Sequence, residues 1–351
     1  MRTEHVLILR FSALGDVAMT VPVISSLARR YPNVRFTMVS RAGMRPLFQG
    51  LAPNVGFMEA DIKGEYRGLR GLNALFRRLI AKQPTAIADL HGVLRSDYLR
   101  LRFSLAMYKV AHIDKHRAGK RALAKFPDKK LVRQNTSFQN YAEVFAKLGY
   151  PVEVTFTSIF QSGKGDLSRL PSCFGHKAET WIGIAPFAAH AGKIYPQELM
   201  ERVIAMLVER HPECRIFLFG GGNAEQAVFN LWCRQHKQLV SVPDHIRGLR
   251  KELILMSHLD VMLSMDSANM HLASLTGTPV VSVWGATHPF AGFMGWGQSE
   301  ANAVQSDMPC RPCSVYGNRR CRYDDYPCLR NIAPATIADK IESVLTAKQN
   351  T

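Results

Sequence analysis

The apolar positions along the chain fall into short runs that stop abruptly, separated by longer stretches with helical spacing. Residues 5–9 (HVLIL) form the first run. A turn over 11–15 follows, then a helix over 17–31 with Val17, Val21, Ile24, Leu27 and Ala28 on one face. A second strand is predicted over 35–39, and the motif IADLHG at 87–92 repeats the pattern. The segment 161–177 (QSGKGDLSRLPSCFGHK) is rich in Gly, Ser and Pro and breaks both periodicities, as an interdomain linker would. The alternation then restarts. Strands are predicted over 181–185, 215–219 and 239–242, and helices over 197–210, 224–237 and 251–257. Residues 334–348 carry a terminal helical spacing.

The most informative stretch is 259–285, LDVMLSMDSANMHLASLTGTPVVSVWG, which reads as strand, tight turn, short helix, strand. Val261 to Met265 stops at Asp266 and Ser267, both good N-caps. Met270, Leu272, Ala273 and Leu275 share a helical spacing, Gly277 ends the helix, and Val280 to Trp284 is β-branched enough for a buried parallel strand. In such a unit the first helical amides, those of Ala268 and Asn269, point beyond the carboxyl end of the sheet, where an anion is welcome. Asp266 would repel a phosphate, so it suits capping or the hydroxyls of a sugar. His271, one turn in, reaches the same place. Judged by helix signals alone, Asp266 and Ser267 are equally ordinary caps and His271 a core histidine.

Strand and helix in repeated alternation mean an α/β fold with doubly wound parallel sheets. The 351 residues exceed one ordinary core and suit two domains. We place a basic N-terminal Rossmann-like domain at 1–165, a linker at 166–178, a second Rossmann-like domain at 179–333, and a C-terminal helix at 334–351 that packs back across the domain boundary. Ligands of such sheets sit beyond the carboxyl ends of the strands, where Asp16, Asp89 and His91 emerge.

Composition narrows the function. With 47% apolar residues the chain is globular. Lys and Arg number 45 against 28 Asp and Glu, a formal charge of +17, which calls for an anionic partner: nucleic acid, an acidic lipid surface or a phosphorylated substrate. Much of that excess lies between residues 67 and 133. No run approaches 18 apolar residues, and the N-terminal run is too short and carries Arg10, so neither a membrane span nor a signal peptide is expected. A cytoplasmic protein with reduced cysteines follows. Neither a P-loop nor a GxGxxG occurs, which argues against ATPases and dehydrogenases.

Five segments together resemble one family. ILRFSALGDVAMTVPVI, DLHGVLRS, PFAAHAGKIYP, FLFGGGNAE and MDSANMHLASLTGTPVVSVWGAT follow, in order and across nearly the whole chain, the pattern of glycosyltransferase family 9, the bacterial lipopolysaccharide heptosyltransferases. The resemblance implies a GT-B architecture, two Rossmann-like domains with parallel sheets facing an interdomain cleft. It implies an inverting transfer of heptose from a nucleotide-diphosphate sugar, ADP-heptose foremost, to the lipopolysaccharide inner core or a related glycolipid. Asp16 corresponds to the family's catalytic base and Lys193 to the lysine that meets the donor phosphates. Glu225, with Asn223 as the neighbouring alternative, corresponds to the acidic residue expected on sugar hydroxyls. Asp266, Ser267, Ala268, Asn269 and His271 correspond to the Asp-Ser/Thr-Gly-x-x-His segment of the donor site, with Ala268 in place of the usual glycine. Ala188 and Ala189 stand where hydroxyl residues are usual, so only backbone amides serve there, and His190 is placed to compensate. Arg10, Asp89, His91, Arg95, Arg117 and Arg121 are the candidates for the acceptor. The implied partners are the nucleotide-sugar, a phosphorylated glycolipid and the anionic inner face of the cytoplasmic membrane, with peripheral attachment and no cofactor beyond the donor.

Two alternatives accompany that reading, and a structural metal site stands beside it. One is a family 9 transferase using another nucleotide-sugar. Another class altogether is a basic nucleic-acid binder, for which interleaved Arg, Tyr and Phe between Tyr98 and Phe138 would suit single strands, but no nucleic-acid module signature is present. Last, Cys310, Cys313, Cys321 and Cys328 have spacings compatible with a structural four-thiolate zinc site, against packing cysteines or a redox-labile pair. No catalytic metal is expected, since no DxD-type carboxylate pair lies in a suitable loop.

Overall fold

A computed structural model describes residues 4–161, 163–174, 177 and 179–349. By its internal contacts the chain divides into Met1–His116 with Asn135–Gln161, and Arg117–Gln134 with Ser162–Thr351. Within the expected linker, residues 175, 176 and 178 lie outside the described residues, as do 350 and 351 of the expected terminal helix.

The first unit runs β1 (His5–Leu9), α1 (Leu14–Ala18), α2 (Thr20–Arg30), β2 (Arg35–Ser40), β3 (Val55–Glu59), α3 (Gly68–Ile80), β4 (Ala86–Asp89), α4 (Leu94–Leu105) and β5 (Lys109–His112). Its sheet is parallel throughout, in the order β3-β2-β1-β4-β5. The helix expected over 17–31 is two helices, parted at Met19. Pro22 explains the break, because it has no N–H to give the Ala18 carbonyl and so interrupts the i→i−4 ladder there. The strands β1 and β4 are buried along their whole length, as central strands covered on both faces must be. Leu7, Leu9, Val39, Leu75, Ile87 and Phe103 join in one core.

The helix α5 (Arg117–Leu123) lies in Arg117–Gln134, a segment expected in the first domain that groups with the second unit. The reason is its bonding. The Gln134 amide donates to the Phe290 carbonyl at 2.9 Å, and the Lys129 ammonium to the carbonyls of Arg311 and Pro312. Arg133 pairs with Glu300, and Lys120 stacks over the Phe293 ring. The chain then returns to the first unit for α6 (Ser137–Lys147), capped by Thr136, whose hydroxyl accepts from the Gln139 amide at 3.2 Å.

The second unit continues with β6 (Trp181–Ala185), α7 (Gln197–Arg210), β7 (Arg215–Leu218), α8 (Asn223–Gln235), β8 (Leu239–Ser241), α9 (Val242–His245), α10 (Leu249–Met256), β9 (Val261–Met265), α11 (Ala268–Leu275), β10 (Val280–Trp284), β11 (Ala303–Gln305), α12 (Pro327–Arg330) and α13 (Pro334–Gln349). Its parallel sheet has the order β11-β10-β9-β6-β7-β8. Ile337, Ala338, Ile341, Val344 and Leu345 of α13 lie in the core of this same unit, where the helix packs on α7 and on β9 to β11. The terminal helix thus contributes to the core of the second unit.

In each sheet one strand has neighbours on both sides that are reached by crossovers in opposite directions: β1 between β2 and β4, and β6 between β7 and β9. In each unit that switch point lies at the strands' carboxyl ends, where Asp16, Asp89 and His91 of the first and Lys193 and Asp266 of the second are found.

Candidate functional site

In the first unit Leu9 lies abreast of Asp89 in the β1–β4 ladder, so the chain leaves both strands at the switch point. Arg10 follows β1 directly and is buried. Its guanidinium donates to the Ser12 carbonyl at 3.0 Å and the Leu90 carbonyl at 2.6 Å, and its Nη2 lies 2.7 Å from Asp16 Oδ2. Asp16 is the third residue of α1, with its side chain 35% exposed and its Oδ2 also accepting from the Ala13 amide at 3.2 Å. Tyr141 donates to the Asp16 carbonyl at 3.2 Å and sets its ring beneath Arg10. Burial pushes the Tyr141 hydroxyl far above the usual tyrosine range, so it stays a donor. The result is a carboxylate held at a defined place beside a fixed cation, yet open to solvent.

Asp89 is buried and folds the next turn. Its Oδ1 accepts from the amides of His91 at 2.9 Å and Gly92 at 3.0 Å, and Arg100 approaches its Oδ2 at 3.7 Å. Gly92 has φ +56° and a backbone that receives Lys115, so a side chain there would be strained. His91 is buried edge-on against Phe11, 5.6 Å between centroids, and its Nδ1 has no hydrogen-bond partner. Burial first, and then the charges of Arg10 and Lys115, lower the imidazole to about 3, so it is neutral at physiological pH. Arg10, Asp16, Asp89 and His91 thus come together. Arg95 lies exposed on α4. Arg117 and Arg121, on α5, belong to the second unit.

In the second unit the register sets Ala185 beside Ser264, so the loop after β6 and the turn after β9 adjoin. Lys193 ends a single 3-10 turn, Ala191–Lys193, and its Nζ lies 2.9 Å from Asp266 Oδ2. Thr287 donates to the same oxygen at 2.7 Å. Asp266 therefore pairs with a cation and a hydroxyl and is not bonded as a cap. Ser267 holds the N-cap position of α11 without a side-chain capping bond, its hydroxyl lying 3.3 Å from that of Ser264. Ala268 and Asn269 open the helix half-buried, and His271 is buried one turn in. Glu225 sits in the first turn of α8, where its Oε2 accepts from the Gly221 amide at 2.7 Å. Ala189 and His190 are exposed.

Sequence reasoning passed over several residues that build this place. Thr287 lies within the motif after β10, yet nothing in its local pattern marks it. Arg311 is buried and donates to the carbonyls of Gly285 at 2.5 Å and Thr287 at 3.0 Å, clamping the turn that carries Thr287. Gly317, at φ +80°, lets the backbone lie against the Lys193 stem, since a Cβ there would fall 2.7 Å from its Cγ. Gly192 and Gly285 similarly allow the Ala286 amide to donate to the Gly192 carbonyl at 2.8 Å, an approach that either Cβ would block.

Cys310, Cys313, Cys321 and Cys328 line one cavity of about 70 Å³ as free thiols. Burial raises the thiols of Cys313 and Cys328, the latter to about 12. Among the described residues no three His, Cys, Asp or Glu side chains are disposed to hold a metal ion. The zinc expectation thus finds no fitting ligand set among the described residues.

Comparison with known proteins completes the picture. Residues 72–324 match the model of Glycosyltransferase family 9 (heptosyltransferase). Lipopolysaccharide heptosyltransferase 1 of Pseudomonas aeruginosa is 23% identical over 379 aligned positions, covering 98% of this chain and 99% of that protein. Among solved structures, the family 9 glycosyl transferase of Veillonella parvula has a TM-score of 0.72 at 17% identity, covering 99% of this chain and 98% of that one. Escherichia coli heptosyltransferase WaaC with ADP-2-deoxy-2-fluoro heptose has a TM-score of 0.69 at 20% identity, covering 97% of this chain and 99% of that one. The two parallel Rossmann-like sheets are those of a GT-B enzyme, and the chain belongs to glycosyltransferase family 9, the heptosyltransferases.

Proposed function

We propose that this glycosyltransferase moves a heptose from ADP-heptose to a hydroxyl of the lipopolysaccharide inner core. The observation that carries the reading is the Lys193–Asp266–Thr287 cluster, which offers one cation to a diphosphate and one carboxylate to sugar hydroxyls at a single switch point. The relatives support the donor and acceptor: one is named for lipopolysaccharide heptosyl transfer, and another is bound to an ADP-heptose analogue. In the proposed step Asp16 accepts the proton of the acceptor hydroxyl as its oxygen attacks the anomeric carbon. The bond from that carbon to the diphosphate breaks with inversion, and ADP leaves. Lys193 and the first amides of α11 meet the charge that develops on the leaving phosphate, so the transfer needs no metal. Glu225, Asp266 and His271 hold donor hydroxyls, with Ser267 and the Ala189 backbone beside them. Arg95, exposed on α4, meets the phosphorylated acceptor at the inner face of the cytoplasmic membrane, and the buried Arg10, Asp89 and His91 shape the turns behind it.

Thermal-shift titration with nucleotide-sugars tests the reading. ADP-heptose should raise the melting temperature at concentrations where UDP- and GDP-sugars do not. A UDP- or GDP-sugar acting alone would mark another family 9 donor, and a loss of transfer in EDTA would overturn metal independence. Family membership leaves the nucleic-acid reading without support.

A further inference from the structure

The residues of α4 divide into two apolar faces. Ser96, Leu99 and Phe103 point into the core. At about 100° per residue, Leu94, Leu101 and Leu105 fall on the opposite side. They are 88%, 57% and 72% exposed, and Met107, just past the helix end, is 91% exposed. Leu69 at the start of the neighbouring α3 is 65% exposed. Soluble surfaces carry single exposed leucines, but a stripe of three on one helix with a methionine at its end is a patch that water does not favour.

The charge around this stripe is predominantly positive. Between residues 67 and 109 the chain carries Arg67, Arg70, Arg77, Arg78, Lys82, Arg95, Arg100, Arg102 and Lys109 against only Asp89 and Asp97. Asp89 is fully buried, and Asp97 is paired with Arg100 at 3.1 Å. Arg67, Arg70, Arg77 and Arg95 are exposed. The two helices are packed together, with Arg102 of α4 lying over the Phe76 ring of α3, so the exposed arginines of α3 and the leucine stripe of α4 lie on adjoining elements.

We infer that this α3–α4 face docks on an anionic lipid bilayer, with the α4 leucines and Met107 entering the interface and the arginines meeting lipid headgroups. An apolar stripe bordered by arginine is complementary to that surface in both respects. The inference rests on the glycolipid acceptor proposed above and names the surface by which the enzyme reaches it. On α5, by contrast, Lys120 is buried over Phe293 and cannot face a headgroup. No helix among the described residues is long and apolar enough to cross a membrane, so the contact is peripheral.

The full chain should sediment with vesicles of 30% phosphatidylglycerol in phosphatidylcholine and far less with phosphatidylcholine alone, the difference shrinking in high salt. The double variant Leu101→Gln/Leu105→Gln should weaken that binding about tenfold or more, and Arg70→Gln/Arg77→Gln about fivefold per charge. Both should keep the wild-type melting temperature and ADP binding. Should either variant fold poorly, Met107→Trp provides a second reading: it should gain fluorescence that brominated anionic lipid quenches, beyond the wild-type signal. Equal binding by the leucine variant and wild type would overturn the inference, as would indifference to vesicle charge. So would a wild-type dimer that the leucine variant dissociates, since the stripe would then belong to a second copy. Transfer to a delipidated soluble acceptor separates the two proposals. If it fails while vesicle binding behaves as expected, the proposed reaction falls and the docking face stands.

Discussion

Lys193 and Asp266 meet at 2.9 Å, Nζ to Oδ2, with the carboxylate almost wholly buried and also bonded to Thr287. A diphosphate that engages Lys193 therefore meets a cation that is already oriented, held by a partner seventy-three positions away in sequence.

That pairing makes Lys193→Ala a double lesion. Removing the ammonium leaves Asp266 buried without its counter-charge, which should cost roughly 3 kcal/mol of stability. ADP should bind about tenfold more weakly through loss of one charge-assisted contact. In an Asp266→Asn background the stability cost of Lys193→Ala should shrink while the ADP effect persists. Chemical denaturation and ADP titration of all four proteins check this, and equal stability costs in both backgrounds would dismiss the coupling.

Asp16→Asn should fold, because the amide still accepts from Arg10, and should bind ADP normally. Turnover should fall by about two orders of magnitude or more, as expected on removing a general base. Steady-state transfer assays decide it, and an unchanged kcat would remove Asp16 from the chemistry.

His91 carries a pH signature. Its imidazole is lowered in the folded state to about 3, while unfolded chains titrate near 6.5. Between those values the unfolded state binds the extra proton, so the stability His91 contributes is complete above about pH 6.5 and is lost as pH falls toward 3. Melting temperatures from pH 7.5 to 4.5 should therefore fall less steeply for His91→Gln than for wild type. Parallel curves would show that the imidazole stays solvated.

Gly317→Ala tests how Lys193 is steered. At φ +80° an alanine is strained by about 1 kcal/mol, and its methyl would fall against the Lys193 stem. The expected result is a modest loss of stability with a larger loss of ADP affinity, read by calorimetry. Unchanged affinity would mean that Lys193 does not need this wall.

The sequence by itself determined the local frame. The apolar runs located β1, β6, β9 and β10 to the residue, because fully buried parallel strands are continuous apolar blocks with sharp polar ends. The Asp-Ser after β9 stood out because it is polar where an apolar strand stops, whereas Asp16, inside the first turn of α1, stood out through the resemblance of its segment. Other features had no local signal. The break at Met19 depended on one missing amide in Pro22. Only the tertiary structure decided that Arg117–Gln134 joins the second unit, since its bonds run to residues some 150 to 180 positions later. It alone joined Arg10 to Asp16 and Lys193 to Asp266, and it alone recruited Thr287, Arg311 and Gly317. The physical reason is that strand ends and helix starts follow from neighbours in the chain. A charge pair across two strand ends follows from strand order and register, which the crossovers between parallel strands impose from far away.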